Sequence, residues 1–223
     1  MTARRQAWVA RLGAAALAVL ALIGGGATPA RARYMTGAAL LDWCRDDAST
    51  FCPGYLAALA DYQSALQAID ARAPRFCLPS NVKLAALREV ATGPLAALPP
   101  DRLRAAAADV MIEALVQRFP PTRAREGCTE RAAAYVTGYE LIDWCADETS
   151  RLCAGYVAAL VDYQDLLQRD DSETPRFCLP ADQRLSDLTD LALRRLRANP
   201  PGELRKLAAS LVVPAFARTY PCR

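Results

Sequence analysis

The chain is predicted to be all-α, built from two tandem, disulfide-bonded small helical domains of about four helices each. Three observations carry this expectation. An internal repeat runs without gaps at a constant offset of 101 residues, the eight cysteines fall four to each copy, and apolar residues recur at three- and four-residue spacing. β-branched residues are sparse and do not alternate with polar ones, so no strand is expected.

Thr36–Pro79 aligns onto Thr137–Pro180 with 26 of 44 positions identical, too many for shared composition to explain. Asp42-Trp43-Cys44 returns as Asp143-Trp144-Cys145, and Cys52, Gly54 and Tyr55 return as Cys153, Gly155 and Tyr156. Asp61-Tyr62-Gln63 returns as Asp162-Tyr163-Gln164, and Pro74-Arg75-Phe76-Cys77-Leu78-Pro79 as Pro175-Arg176-Phe177-Cys178-Leu179-Pro180. Beyond this block the match thins but keeps register through Leu103 and Leu204. The period is that of a domain, far longer than a solenoid repeat. The chain therefore divides into 1–32, a first domain at 33–128 and a second at 129–223, joined around Pro120–Ala134.

Residues 1–32 read as a secretory signal. Arg4, Arg5 and Arg11 form a basic n-region, an apolar run spans Leu12–Ile23, and Ala30-Arg31-Ala32 places cleavage after Ala32. The run is shorter than the roughly 20 residues a membrane-spanning helix needs. Periplasmic export, with no membrane attachment after cleavage, is the expected localisation. Removing the signal takes away four arginines and no acid, leaving 23 basic against 24 acidic residues, a net charge of −1. That balance lacks the basic footprint of a nucleic-acid binder.

Helix one is expected over Gly37–Asp46, with Leu40, Leu41 and Cys44 on one face. Helix two begins near Cys52-Pro53, where a first-turn proline costs no hydrogen bond, and carries Tyr55, Leu59, Tyr62, Leu66 and Ile69 to about Asp70. Helix three should start after Pro79 with Ser80 as cap, and in the second copy with Asp182. Gly93-Pro94 should end or kink it early, whereas Arg194-Arg195 lets its counterpart continue. Helix four is expected to follow the Pro-Pro pair, with Leu103, Ala106, Ala107, Val110, Met111, Ala114 and Leu115 forming its apolar stripe.

The cysteine pairing follows from reach. In an up-and-down arrangement Cys44 and Cys52 flank the turn between helices one and two. Helix two spans about 27 Å. The few residues after it can climb back at most ~24 Å, so pairing Cys77 with either upper cysteine is strained. The expected bridges are Cys44–Cys52 with Cys77–Cys128, and Cys145–Cys153 with Cys178–Cys222. Cys222 directly follows Tyr220-Pro221, but the aligned first-copy position is Pro121 and the cysteine is displaced to Cys128. Pro120–Gly127 reads as an excursion that returns Cys128 to its partner; a bridge between the copies is the alternative.

The chain has no histidine, which excludes Ser-His-Asp and Cys-His nucleophiles and any histidine-containing zinc site. Paired carboxylates remain as the main catalytic possibility. No enzyme activity, cofactor or metal is expected.

The pattern Leu-x-x-Trp-Cys, Cys-x-Gly-Tyr, Phe-Cys-Leu-Pro and a Pro-Pro helix closing on aromatic-Pro-Cys resembles the Rap/Tai family of type VI secretion immunity proteins. The resemblance covers nearly the whole mature chain, once per copy. It implies a small exported helical protein that binds and blocks a peptidoglycan-cutting amidase toxin. Characterised members are commonly dimers, so it also implies that the two copies pack as an intramolecular pseudo-dimer. This chain departs from the single-domain pattern in its duplication and in the displaced Cys128.

Asp61, Arg75, Asp162 and Arg176 are the candidate partner-binding residues. The competing reading of Asp61 and Asp162 puts Tyr62 and Tyr163 in the core, with the Asp and Gln on a solvated flank. Arg75-Phe76 and Arg176-Phe177 lie in a cysteine-tethered loop suited either to an interaction surface or to a buried Phe anchor. Gly54 and Gly155 should permit close helix approach, and Trp43 and Trp144 should pack beside a disulfide. Besides an immunity protein, the sequence admits a structural or chaperone-like cell-envelope protein without a toxin partner.

Overall fold

Each copy begins with a helix capped by a threonine. The computed structural model describes residues 34–69, 75–121, 134–170 and 176–222. The signal sequence expected at 1–32, with cleavage after Ala32, lies outside the described residues, as does Cys128. In the first copy α1 spans Gly37–Arg45, α2 Phe51–Ile69, α3 Leu84–Ala96, α4 Pro100–Leu103 and α5 Ala107–Arg118. In the second, α6 spans Gly138–Ala146, α7 Leu152–Arg169, α8 Leu185–Arg197 and α9 Ala208–Thr219, with a 3₁₀ turn at Glu203–Arg205 in the place of α4. Among the described residues there are only isolated bridges and no strand, and no helix is long and apolar enough to cross a membrane.

The Thr36 side chain accepts from the Ala39 N–H, and Thr137 forms a reciprocal capping box with Glu140. Three expectations about helix ends are corrected. Ser80 and Asp182 do not cap α3 and α8; the N-cap residues are Lys83 and Arg184, without side-chain caps. The cause is a tight turn after each proline, closed by Val82 N–H to the Pro79 carbonyl and Gln183 N–H to the Pro180 carbonyl, which delays the helix. Gly93-Pro94 does not stop α3, which runs 13 residues like α8. Pro94 removes one intrahelical bond near the end of the helix, and fully buried Leu95 holds the last turn in place.

Helix four is not continuous in either copy. Before α5 the chain stretches so that the Ala105 carbonyl accepts from Gly37 N–H (2.9 Å) and Ala107 N–H donates to the Met35 carbonyl (2.9 Å). The second copy repeats this with Gly138 N–H to Lys206 (3.0 Å) and Ala208 N–H to Val136 (2.8 Å). A bend there lets the segment before each first helix pair with the chain, an exchange that apolar periodicity does not register.

Cys44–Cys52, Cys145–Cys153 and Cys178–Cys222 are bonded, as expected from reach. Cys77 is also disulfide-bonded; the Cys77–Cys128 pairing itself falls outside the described residues. Trp43 stacks on Phe51, just before Cys52, at 5.5 Å between ring centroids, and the guanidinium of Arg151 from the other copy lies over the Trp43 ring, 5.0 Å from its centroid.

The two copies share one hydrophobic core, and its axis is the pair α2 and α7. Tyr55, Tyr62, Tyr156 and Tyr163 are all fully buried along it. Gly54 and Gly155 sit where the helices cross. A Cβ on Gly54 would lie 2.2 Å from the Leu152 carbonyl oxygen, and one on Gly155 would lie 2.2 Å from that of Phe51. Only a residue without a side chain allows this approach. The tandem chain is thus an intramolecular pseudo-dimer closed on itself through its second helices.

Candidate functional site

The Asp-Tyr-Gln triplets lie in the middle of α2 and α7, on the faces where the copies meet. Asp61 Oδ1 accepts from Tyr135 N–H (2.8 Å), and its Oδ2 accepts from Val136 N–H (3.1 Å) and the Tyr156 hydroxyl (2.9 Å). Asp162 Oδ1 accepts from Tyr34 N–H (3.1 Å) and Oδ2 from the Tyr55 hydroxyl (2.9 Å). Every one of these donors belongs to the opposite copy. Tyr34 and Tyr135 also donate their hydroxyls across the junction, to the carbonyls of Gln183 (2.5 Å) and Val82 (2.7 Å). Each carboxylate therefore pins the segment preceding the other copy's first helix, the segment that also pairs with the bend before α5 or α9.

The rest of the motif completes the crossing. Tyr62 donates to Gln164 Oε1 and Tyr163 to Gln63 Oε1, while the two tyrosine rings meet edge to face at 5.4 Å. The Nε2 groups of Gln63 and Gln164 have no hydrogen-bond partner among the described residues. Leaving such a group unpaired costs about 1–3 kcal/mol, so the tyrosine–glutamine bonds must outweigh it.

Asp61, Gln63, Asp162 and Gln164 are each at most 2% exposed. The solvated flank expected for them is corrected: the helix face that carries them is covered by the second copy, which a reading of either copy alone leaves exposed. The partner that Asp61 and Asp162 contact in the folded chain is the other half of that chain.

Burial pushes both carboxyls up to about 7, against the lowering effect of their N–H and tyrosine donors. Burial next to these carboxylates raises the Tyr55 and Tyr156 hydroxyls well above their ordinary range. Because the folded carboxyls hold their protons to higher pH than unfolded ones, their contribution is fully present below about 4 and is lost as pH rises through the folded value. The expected result is a urea midpoint that falls between about pH 5 and pH 8, with a shallower fall in Asp61→Asn and Asp162→Asn. A midpoint that rises across that range in the wild type, unchanged in the variants, would contradict the assignment.

The Arg-Phe loops divide between their two readings. Phe76 and Phe177 are 1% exposed, and Phe177 meets Phe216 edge to face at 5.5 Å, so the phenylalanines anchor the loops. Arg75 lies at the surface in an ion pair with Asp170 of the second copy. Arg176 is half-buried and lines a groove between α2 and α9. A further ion pair joins the copies where sequence reasoning named no residue: Arg169 holds both oxygens of Asp109. The aligned positions, Ala68 and Ser210, cannot form it. That loss of charge at one copy's positions was the available signal.

The site is a dedicated interface between copies, with two surface grooves at its ends, and its buried carboxylates are committed to fixed donors. The family model described as Rap1a immunity proteins matches residues 36–121 and again residues 137–222. No curated protein and no solved structure matches the chain.

Proposed function

Because the chain belongs to the family of Rap1a immunity proteins and carries its domain twice, we propose that it is a periplasmic binding protein that blocks a peptidoglycan-cutting amidase toxin. The observation that carries this reading is that the family model matches both copies, at residues 36–121 and 137–222. The copies are arranged as a docked pair with the Asp-Tyr-Gln motifs facing inward.

The chain acts here by occlusion and supplies no chemistry. Its most perturbed carboxyls are buried behind backbone and tyrosine donors of the opposite copy, which fits a structural use for them. Arg75 and Arg176, at the grooves, are the proposed contacts to the toxin; Asp61 and Asp162 serve by holding the pair together. Export through the signal at 1–32 and a link to type VI secretion belong to the same proposal.

Cells challenged with a periplasmic amidase toxin are expected to survive when this chain is co-expressed, and the tagged chain should capture that toxin from periplasmic extract. Capture of no hydrolase, together with no protection, would remove the proposal. Loss of envelope integrity on deletion in cells without any toxin would instead support a structural envelope protein.

A further inference from the structure

Duplication supplies an internal comparison for every surface position, and a concentrated difference in charge lies at the end of α8. Its last turn carries Arg194, Arg195 and Arg197, and Arg205 and Lys206 follow at the close of the 3₁₀ turn. The first copy has Gly93, Pro94, Ala96, Arg104 and Ala105 at these positions. Four of the five changes add a positive charge, although residues 33–223 as a whole carry a net charge of −1.

The fold does not require these cations. Arginine in a last turn offsets the partial negative charge at a helix's carbonyl end. Yet α3 has no basic residue in its last turn and is as long as α8, at 13 residues. All five residues are exposed. Lys206 pairs with Glu203, whereas Arg194, Arg195, Arg197 and Arg205 make no side-chain hydrogen bond or ion pair among the described residues. Like charges gathered in one place repel one another, a cost that their own copy does not offset.

Their backbone is held firmly. Buried Leu196 and Leu204 anchor the helix end and the 3₁₀ turn, and Asn199 ties the connection back to the carbonyls of Arg195 (2.7 Å) and Leu196 (2.9 Å). Guanidinium groups placed in this way suit carboxylates, which they meet with two parallel hydrogen bonds. A lipid surface calls for apolar side chains that enter it beside the cations. The exposed large hydrophobics among the described residues are Ile69 and Tyr139, and the Tyr139 hydroxyl is tied to the Pro201 carbonyl.

We propose that this arginine face docks an acidic surface of the hydrolase that the chain blocks. The face belongs to the second copy alone, and it adds to the contacts proposed at Arg75 and Arg176. It rests on the immunity reading above.

The test uses the full mature chain and the hydrolase captured with it from periplasmic extract. Arg194→Gln, Arg197→Gln and Arg205→Gln together remove charge at exposed positions, and Arg104→Gln is the first-copy control. Association is followed by stopped flow. The wild type is expected to associate about 10-fold more slowly as NaCl is raised from about 50 to about 300 mM. The triple variant should keep the wild-type thermal midpoint, associate about 10-fold more slowly at low salt and lose most of the salt dependence. Arg104→Gln should match the wild type.

A triple variant with the wild-type rate and salt dependence would overturn the proposal and leave the immunity reading standing. So would wild-type binding to anionic phospholipid vesicles or to purified peptidoglycan without hydrolase, lost in the triple variant, since the face would then meet the envelope itself. A wild-type chain that captures no hydrolase would overturn the immunity reading, and this proposal with it.

Discussion

Alanine in place of Gly54 or Gly155 is expected to destroy the folded pair. The added Cβ would sit 2.2 Å from a carbonyl oxygen of the opposing helix, and the Gly155 Cβ would also lie 3.0 Å from the Tyr55 nitrogen. These are backbone atoms, so no side-chain rotation relieves the clash. The helices must separate, which loosens the tyrosine–carboxylate and tyrosine–glutamine bonds along the crossing. Overpacking of a yielding core costs about 1–3 kcal/mol; a backbone obstruction belongs at or above the top of that range. Gly93 and Gly202 are the control, since nothing lies within 4 Å of a Cβ at either. Urea unfolding of the four alanine variants checks this. A Gly54→Ala chain within about 0.5 kcal/mol of the wild type would mean that α2 and α7 do not cross closely.

Removing the Cys178–Cys222 bridge as a double alanine variant is expected to produce the second large loss. It ties the loop after α7 to the chain beyond α9 across a separation of 44 residues, and so restrains about half of the second copy's unfolded chain. Loop-closure entropy puts its contribution near 4 kcal/mol. Cys145–Cys153, with a separation of 8, should contribute less, about 2–3 kcal/mol on the same reasoning. Unfolding of each double variant, with and without reductant, checks the order. Equal midpoints for the two variants and the wild type would show that the bridges do not stabilise the fold.

Features that depend on local pattern were legible in the sequence. The offset of 101 predicted the duplication, apolar spacing placed the long helices, and chain reach selected the bridges. Gly54 and Gly155 were read correctly as positions of close approach. The errors have two causes, contact between the copies and bonds within a copy that apolar spacing does not register. Asp61 and Asp162 looked like a solvated flank because the backbone donors that cover them, at Tyr135 and Tyr34, lie 74 and 128 residues away in the other copy. Helix four looked continuous because nothing local marks the bend at which Gly37 and Gly138 reach across.

This placement also explains why the polar motif is retained in both copies. A carboxylate buried without donors would be costly, but each Asp here meets backbone and tyrosine donors that are supplied only by the correctly docked second copy. The motif thus favours one register of the α2–α7 crossing over others, as buried polar groups do when they specify assembly.

The most direct measurement is the digestion of purified peptidoglycan by a toxin amidase, followed with increasing amounts of the mature chain. The account predicts that turnover falls to background as the chain reaches the concentration of the enzyme, in a mixture containing nothing but the two proteins and the wall substrate. Undiminished digestion at large molar excess, by every amidase the chain is found beside, would contradict it.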